Sequence, residues 1–415
     1  MKPERRQMNS STRLKIKEGE YRLSRILEVL KVSTRLGLTS FGGPIAHLGY
    51  FHEEYVKRRK WLDENNYADL VALCQFLPGP ASSQVGIAIG IQRAGLIGGL
   101  MAWLGFTLPS AIALMVFAWL LQGLNIQHAG WLHGLMIVAV AVVAQAVWGM
   151  ASKLATGEMR GTIAIISAVA TLLIPTSMVQ VLIIIISGLL GWIIFKKNTA
   201  QEIRPMQIPI SKKTGITFLI LFFAFLIVLP LFRLVIHNQG LAMFDSFYRA
   251  GALVFGGGHV VLPLLQQDVV PTGWMTNAQF LAGYGAAQAV PGPLFTFSSY
   301  LGFVSKPYPN GIIGSLLALI AIFLPAFFLV AGTLPFWNIL RSRPGFQSAL
   351  SGINAAVVGI LIAALYNPVW TSAIKTPYDF CLATIAFALL MIWKLPPWIV
   401  VIISALGGIV ISVLT

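Results

Sequence analysis

Long apolar stretches alternate with short polar ones along the chain. IGGLMAWLGFTLPSAIALMVFAWLL (97–121), GLMIVAVAVVAQAVW (134–148), VLIIIISGLLGWIIF (181–195) and TGITFLILFFAFLIVLPLF (214–232) are continuous apolar runs. A membrane-crossing helix needs roughly 20 apolar residues, whereas a membrane β-barrel reads as alternation. The pattern therefore predicts an all-α polytopic membrane protein. It places an amphipathic helix over 21–40, full spans at 97–122 and 131–151, and a proline-hinged hairpin at 161–195. The segment 67–92 is also apolar, but QFLPGPASSQ (75–84) interrupts it. Proline lacks the N–H a helix needs, and it pushes the residue before it out of helix. Pieces of about 11 residues on either side are too short to cross alone. A re-entrant pair of half-helices fits better, with its non-helical tip covered by protein or a watery cavity. Whether 25–51 crosses or re-enters is left open by its charge pattern.

The pattern is written twice. RLGLTSFGGP (35–44) lines up with RAGALVFGGG (249–258), and WLDENNYADLVALCQFLPGP (61–80) with WMTNAQFLAGYGAAQAVPGP (274–293). LGFTLPSAIAL (104–114) matches IAIFLPAFFLV (320–330), and 134–148 matches GINAAVVGILIAALY (352–366). The separation drifts only from 213 residues at Gln75/Gln288 to 218 at Gly134/Gly352. This is an internal duplication. It divides the chain into a basic tail (1–21), a first repeat (22–195), a basic linker (196–215), an unpaired span (216–236) and a second repeat (243–414).

Charge then orients the copies. HEEYVKRRKWLDE (52–64) carries four Lys/Arg, whereas 250–305 contains none. Basic loops stay on the cytoplasmic side, so the first loop is expected inside and its counterpart outside. One unpaired span between copies inverts the second. That is the plan of inverted-repeat transporters, with about ten to thirteen membrane elements and a cytoplasmic N-terminus in the cytoplasmic (inner) membrane. Lys306 departs from this rule if it lies outside.

Composition agrees. Hydrophobic residues make up 57% of the 415 and charged residues 10%, against about 25% in soluble domains. The net charge of +15 sits in the tail and short loops, which argues against nucleic-acid binding. The first 21 residues hold no apolar core of the kind a signal peptide needs. Cys74 and Cys381 both lie in apolar segments and read as buried thiols, with no disulfide or metal site expected. Walker A, HExxH, CxxC and GxSxG motifs are missing, so neither an ATP-driven pump nor an enzyme is indicated, and no cofactor is implied.

The breaks are the candidate chemistry. After Pro78–Gly79–Pro80 and Pro291–Gly292–Pro293 a new helix is expected at Ala81 and Leu294. Its free N–H groups and positive dipole end suit an anion. Ser82, Ser83 and Gln84, and Thr296, Ser298 and Ser299, stand there as donors. Gly42–Gly43 and Gly256–Gly258, Gly257 included, allow close backbone approach. Arg35 and Arg249, six residues before each Phe, would set a positive field. His47, His259, Glu54 and Asp268 are candidates for a coupling proton, with Arg58 an alternative partner for Glu54. The residues alone point to a small oxyanion.

FGGPIAHLGYFHEEYVKRRKW with QFLPGPASSQ, and FGGGHVVLPLLQQDVV with GYGAAQAVPGPLFTFSSYLG, resemble the long-chain chromate ion transporter family. The resemblance spans 30–415. It implies an inner-membrane carrier of two homologous halves that exports chromate, confers chromate resistance and has sulfate as the close analogue. It places Gly42, Gly43, Pro44, Pro78, Gly79, Pro80, Gly256, Gly257, His259, Pro291, Gly292 and Pro293 on the family's signature positions. The third position of the first motif is Pro44 in one half and Gly258 in the other, so the two breaks are expected to differ in shape. Potential-driven uniport and exchange with H⁺ both remain open, as do another small-anion carrier, an anion channel and a homodimer.

Overall fold

The computed structural model describes residues 10–41, 43–122, 130–174, 176–195, 209–255, 260–337 and 344–414. Among them every regular element is helical. In chain order these are α1 (Ser10–Thr39), α2 (Gly43–Phe51, continued by a π-helical turn, His52–Arg58), α3 (Glu64–Phe76), α4 (Ala81–Gln122), α5 (Gly130–Leu154), α6 (Glu158–Leu173), α7 (Ser177–Ile194) and α8 (Lys212–Val235). Then follow α9 (Gln239–Leu253), α10 (Val261–Val269), α11 (Asn277–Ala287), α12 (Phe297–Val304), α13 (Gly311–Thr333), α14 (Pro344–Ala364), α15 (Pro377–Met391) and α16 (Pro397–Leu414). Five helical stretches are long and apolar enough to cross a membrane: Ala81–Leu121, Gly130–Leu154, Lys212–Val235, Gly311–Phe336 and Ser351–Ala373. The expected linker falls largely on 196–208, outside the described residues.

Local chemistry sets the boundaries. Asp63 caps α3 by accepting the Asn66 N–H at 2.8 Å, and Thr276 caps its counterpart α11 in a reciprocal box with Gln279. Asn238 caps α9, and Ser211 caps α8. Such caps satisfy N–H groups that have no partner in the first helical turn.

The chain doubles back after α1. Glu28 on α1 bonds Arg59, Ser33 bonds Tyr55, and Arg35 faces Glu54. The chain that runs along α1 therefore returns beside it in the π-helical turn after α2. The 67–92 segment also doubles back, because Asp63 and Glu64 at the start of α3 line one cavity with Gln92 and Arg93. The piece after the break and the 97–122 span form one folded element. α4 turns sharply at Ala94–Gly95, where Gly95 has φ +69°, and Gly90 packs directly on Gly98. In the second half Gly302 and Gly314 make the same contact between α12 and α13.

The two halves embrace rather than sit side by side. The hairpin α6–α7 packs on α14, and the hairpin α15–α16 packs on α5. The contacts correspond residue by residue: Gly134 lies against the Ser404 carbonyl, and Gly352 against the Ser187 carbonyl. Gly37 crosses α4 at the Gly105 and Phe106 carbonyls, and Gly251 crosses α13 at Ile322. Small residues let helix backbones approach this closely in lipid. The two copies also point opposite ways. Trp61 stacks with Arg93 near the bend at the head of α4. The carbonyl of its counterpart Trp274 accepts the Lys306 N–H, and Tyr300, six residues before Lys306, packs on Phe117. The 22 residues from Gly95 to Phe117 rise about 33 Å, so the two tryptophans mark opposite ends of the bundle.

Gly134→Val and Gly352→Val place a side chain onto a serine carbonyl of the embracing hairpin. Each is expected to lower stability by about 1–3 kcal/mol, and by similar amounts because the contacts are equivalent. Gly149→Ala has open space around it and stays near neutral. Thermal unfolding of the purified variants in detergent checks the comparison.

Candidate functional site

The first break ends α3 at Leu77, which is extended (φ −79°, ψ 145°) ahead of Pro78. The chain then turns at Gly79 with φ +119°, and the second break turns at Gly292 with φ +94°. Only glycine adopts such backbone readily. The flanking prolines remove two N–H groups that would have no partner here. One donor remains in each break, and a buried N–H at this depth needs an acceptor. Gly79 donates to the Val254 carbonyl at 2.6 Å, and Gly292 donates to the Ser40 carbonyl at 2.8 Å. Ser40 and Val254 are equivalent positions, each just ahead of the FGG motif of its half. Each break is thus tied to the FGG junction of the other half.

The neighbourhood is tight and polar. A Cβ on Gly292 would come 2.9 Å from the Ser110 hydroxyl and 3.2 Å from the Phe106 carbonyl; one on Gly79 would meet Gln84 Nε2 at 2.9 Å and Ala326. His47 Nδ1 lies 3.2 Å from the Ser82 hydroxyl, with its ring edge-on to Phe106 at 5.3 Å. Gly43, Pro44, Gln145, Gln288, Gly292 and Leu294 enclose a cavity of about 70 Å³, room for a few waters. It joins the FGG motif of one half to the break of the other.

The expected donors separate into two groups. Thr296 Oγ1 donates to the Pro293 carbonyl, and Ser299 Oγ to the Thr296 and Ala111 carbonyls. These hydroxyls are occupied in holding the break. Among the described residues Ser83 Oγ and Ser298 Oγ are buried with no partner, as are Ser40 Oγ, Thr107 Oγ1, His47 Nε2 and Gln84 Oε1. The helix start also differs between halves. α4 begins at Ala81 as expected, but a 3-10 turn (Leu294–Thr296) precedes α12, and the Thr296 N–H already donates to Pro293. A second α-helix starting at Leu294 is therefore not formed. Sequence reasoning missed Ser40 and Thr107. The repeated LGFTLPS/IAIFLPA segment is the signal that could have flagged Thr107, since Pro109 and Pro325 lie inside α4 and α13 there.

The expected cations do not join this cluster through their side chains. Arg35 is 57% exposed and faces Glu54 at 3.9 Å; Arg249 pairs with Asp268 at 3.3 Å and Asp245 at 3.1 Å. Glu54 is further held by Arg59 at 2.7 Å and Arg58 at 3.1 Å. Burial alone pushes the Glu54 carboxyl up, but hydrogen bonds and charge from Arg59 and Arg58 outweigh it and hold the pKa below its ordinary value. A carboxylate so held is a poor proton carrier at neutral pH. Gly42, Gly256, Gly257, Gly258 and His259 lie outside the described residues. Cys74 is buried, whereas Cys381 sits on an exposed face of α15, against the expectation that both thiols are enclosed. Among the described residues no three His, Cys, Asp or Glu side chains gather as a metal site.

The model of the chromate transporter family matches residues 27–192 and 241–409. A chromate transport protein of Pseudomonas aeruginosa is 27% identical over 384 residues, covering 90% of this chain and 89% of its own. A probable chromate transport protein of Synechococcus elongatus is 28% identical, covering 91% and 93%. An uncharacterized transporter of Methanocaldococcus jannaschii is 25% identical, covering 92% and 89%. No solved structure matches the chain.

Two outcomes follow from this geometry. Gly79→Ala and Gly292→Ala strain the backbone by about 1–3 kcal/mol each and loosen the brace, so both are expected to melt earlier than wild type. Glu54 has a folded pKa below its ordinary 4.5, so it contributes stability above that value and loses it as pH falls through the folded pKa. Glu54→Gln is expected to lower the melting temperature at pH 7, with the gap to wild type closing in acid.

Proposed function

The chain belongs to the chromate transporter family, and from that premise we propose that it is a secondary carrier moving chromate, with sulfate as a close analogue, out across the cytoplasmic membrane and so giving chromate resistance. The observation that carries this reading is the pair of buried, unpartnered hydroxyls, Ser83 and Ser298, beside two breaks braced across the halves. A buried hydroxyl without a partner costs about 1–3 kcal/mol. An oxyanion arriving between the breaks would repay that cost and desolvate no cation. Ser82, through His47, and the helix start at Ala81 complete a neutral donor set on one side. Thr296 and Ser299 shape the other.

In this reading 22–195 and 243–414 are two inverted transporter repeats around the unpaired α8, with the Trp61 end cytoplasmic and the Trp274 end outside. Ser40 and Val254, which accept the bonds from the breaks, stand just ahead of the sequence motifs of Gly42, Gly43, Pro44, Gly256 and Gly257, the proposed signature positions of the substrate path. His47 is the better-placed candidate for a coupling proton, because Glu54 and Asp268 are engaged by arginines. A dianion leaving a cell that is negative inside gains about 2.3 kcal/mol per charge for each 100 mV, so efflux runs downhill with or without an exchanged proton.

The test is radiolabelled sulfate and chromate flux into liposomes holding the purified protein. Uptake is expected, and acceleration by sulfate inside the vesicle marks a carrier rather than a channel. Ser83→Ala combined with Ser298→Ala is expected to cut flux at least tenfold with the melting temperature retained. Ser299→Ala is expected to act chiefly on stability. Unchanged flux in the double variant rules out these hydroxyls as the site.

A further inference from the structure

The mouth beside Trp61 holds an open cavity of about 790 Å³, lined by Arg25, Lys57, Lys60, Trp61, Gln92 and Arg93 together with Asp63 and Glu64. Its carboxylates are engaged. Asp63 caps α3 and bonds Asn66, and Glu64 bonds His52 at 2.6 Å. Glu28 behind it bonds Arg59 and Arg93. The Trp61 ring carries both guanidinium groups, at 5.6 and 5.0 Å from its centre. Lys60 is exposed at the cavity, and no carboxylate lies within ion-pair distance of it among the described residues.

The twin mouth gives the comparison. In the Trp61/Trp274 register, Lys60 corresponds to Gly273, Asp63 to Thr276, Glu64 to Asn277 and Arg93 to Lys306; upstream, Arg25 corresponds to Gln239 and Lys57 to Pro271. Lys60 and Gly273 share an unusual backbone, with φ +52° and +77°. Glycine adopts it freely, whereas a lysine there is strained. The first half also has one more residue in this loop. The Trp61 N–H reaches back six residues to Tyr55, and the Trp274 N–H only five, to Val269. The π-helical turn His52–Arg58 absorbs that residue, as a π-bulge accommodates an insertion. The cationic mouth thus has an inserted residue and a strained lysine that its twin does without. Strain of this kind gathers at functional sites.

We propose that the Trp61 mouth is a one-sided loading site for doubly charged oxyanions, with Lys60 as its capturing cation. This inference rests on the oxyanion-carrier reading. The mouth would raise the local concentration of dianion at one end of the path, and the twin, which keeps only Lys306 among the corresponding cations, would let it go. The same chemistry could instead be met by the phosphate of an anionic lipid headgroup, and the experiment separates the two sources.

Sulfate flux is measured in inside-out and right-side-out membrane vesicles for wild type, Lys60→Gly and Lys60→Arg. Lys60→Gly installs the residue the twin already uses, so folding is expected to be kept or improved. It is expected to raise the half-saturating sulfate concentration about threefold or more in one vesicle orientation only. The maximal rate should be unchanged, Lys60→Arg should behave as wild type, and the difference should shrink at high salt. An equal half-saturation for Lys60→Gly and wild type in both orientations, with wild-type flux intact, overturns the loading site alone; wild type without flux overturns the carrier reading. The lipid source is tested by repeating the comparison in liposomes of phosphatidylcholine alone and with equal phosphatidylglycerol. A Lys60 effect in phosphatidylcholine alone supports capture of the free anion, and an effect confined to the anionic liposomes overturns it.

Discussion

Two backbone hydrogen bonds hold the centre of this molecule together: Gly79 to Val254 and Gly292 to Ser40. Each is the single donor left in a break whose flanking positions are proline. Each acceptor lies at the end of the first helix of the opposite half. In an apolar medium an unmade bond of this kind costs several kcal/mol, so neither break can move far without carrying the other half's junction with it. The reciprocal geometry converts two local irregularities into one coupled unit. That is the physical requirement for a pathway whose two sides must not open independently.

The rest of the fold serves that unit. The hairpins α6–α7 and α15–α16 cross to the opposite half, so the outer wall of each repeat is built by the other. Glycines at the crossing points bring carbonyls within reach of helix backbones, and the bends at Gly90–Gly98 and Gly302–Gly314 fold the post-break helices back on α4 and α13. Packing rather than hydrophobicity drives helix association in lipid.

Much of this was legible in the sequence. The duplication, the paired breaks, the re-entry at 67–92 and the spans come directly from apolar run lengths and proline positions, because those quantities are local. The tips of both breaks follow from the glycine each requires. What the pattern could not supply is which lone pair each hydroxyl uses. Thr296 and Ser83 are equivalent by position, yet one donates to Pro293 and the other has no partner. That difference arises from a 3-10 turn in one half against an α-helix in the other, a distinction of backbone angles invisible to composition. The acceptors of the glycine N–H groups were equally hidden, since each lies in the opposite repeat.

The arginines show what pairing does to an expectation from chemistry alone. By position Arg35 and Arg249 would set a positive field for a dianion. At about 4 Å and an effective dielectric near 20, each would contribute about 4 kcal/mol per unit charge, and two together would bind a dianion too tightly for rapid release. The fold instead turns both toward carboxylates at equivalent positions, Arg35 toward Glu54, which it shares with Arg58 and Arg59, and Arg249 toward Asp268. Charge is thereby kept for the rim, where screening weakens it and release is easy, while hydroxyls and an imidazole face the breaks. A carrier needs selectivity without a deep trap. In the proposed site, neutral donors at the centre and the larger share of the cations at one mouth would separate recognition from attraction and leave the central step close to balanced.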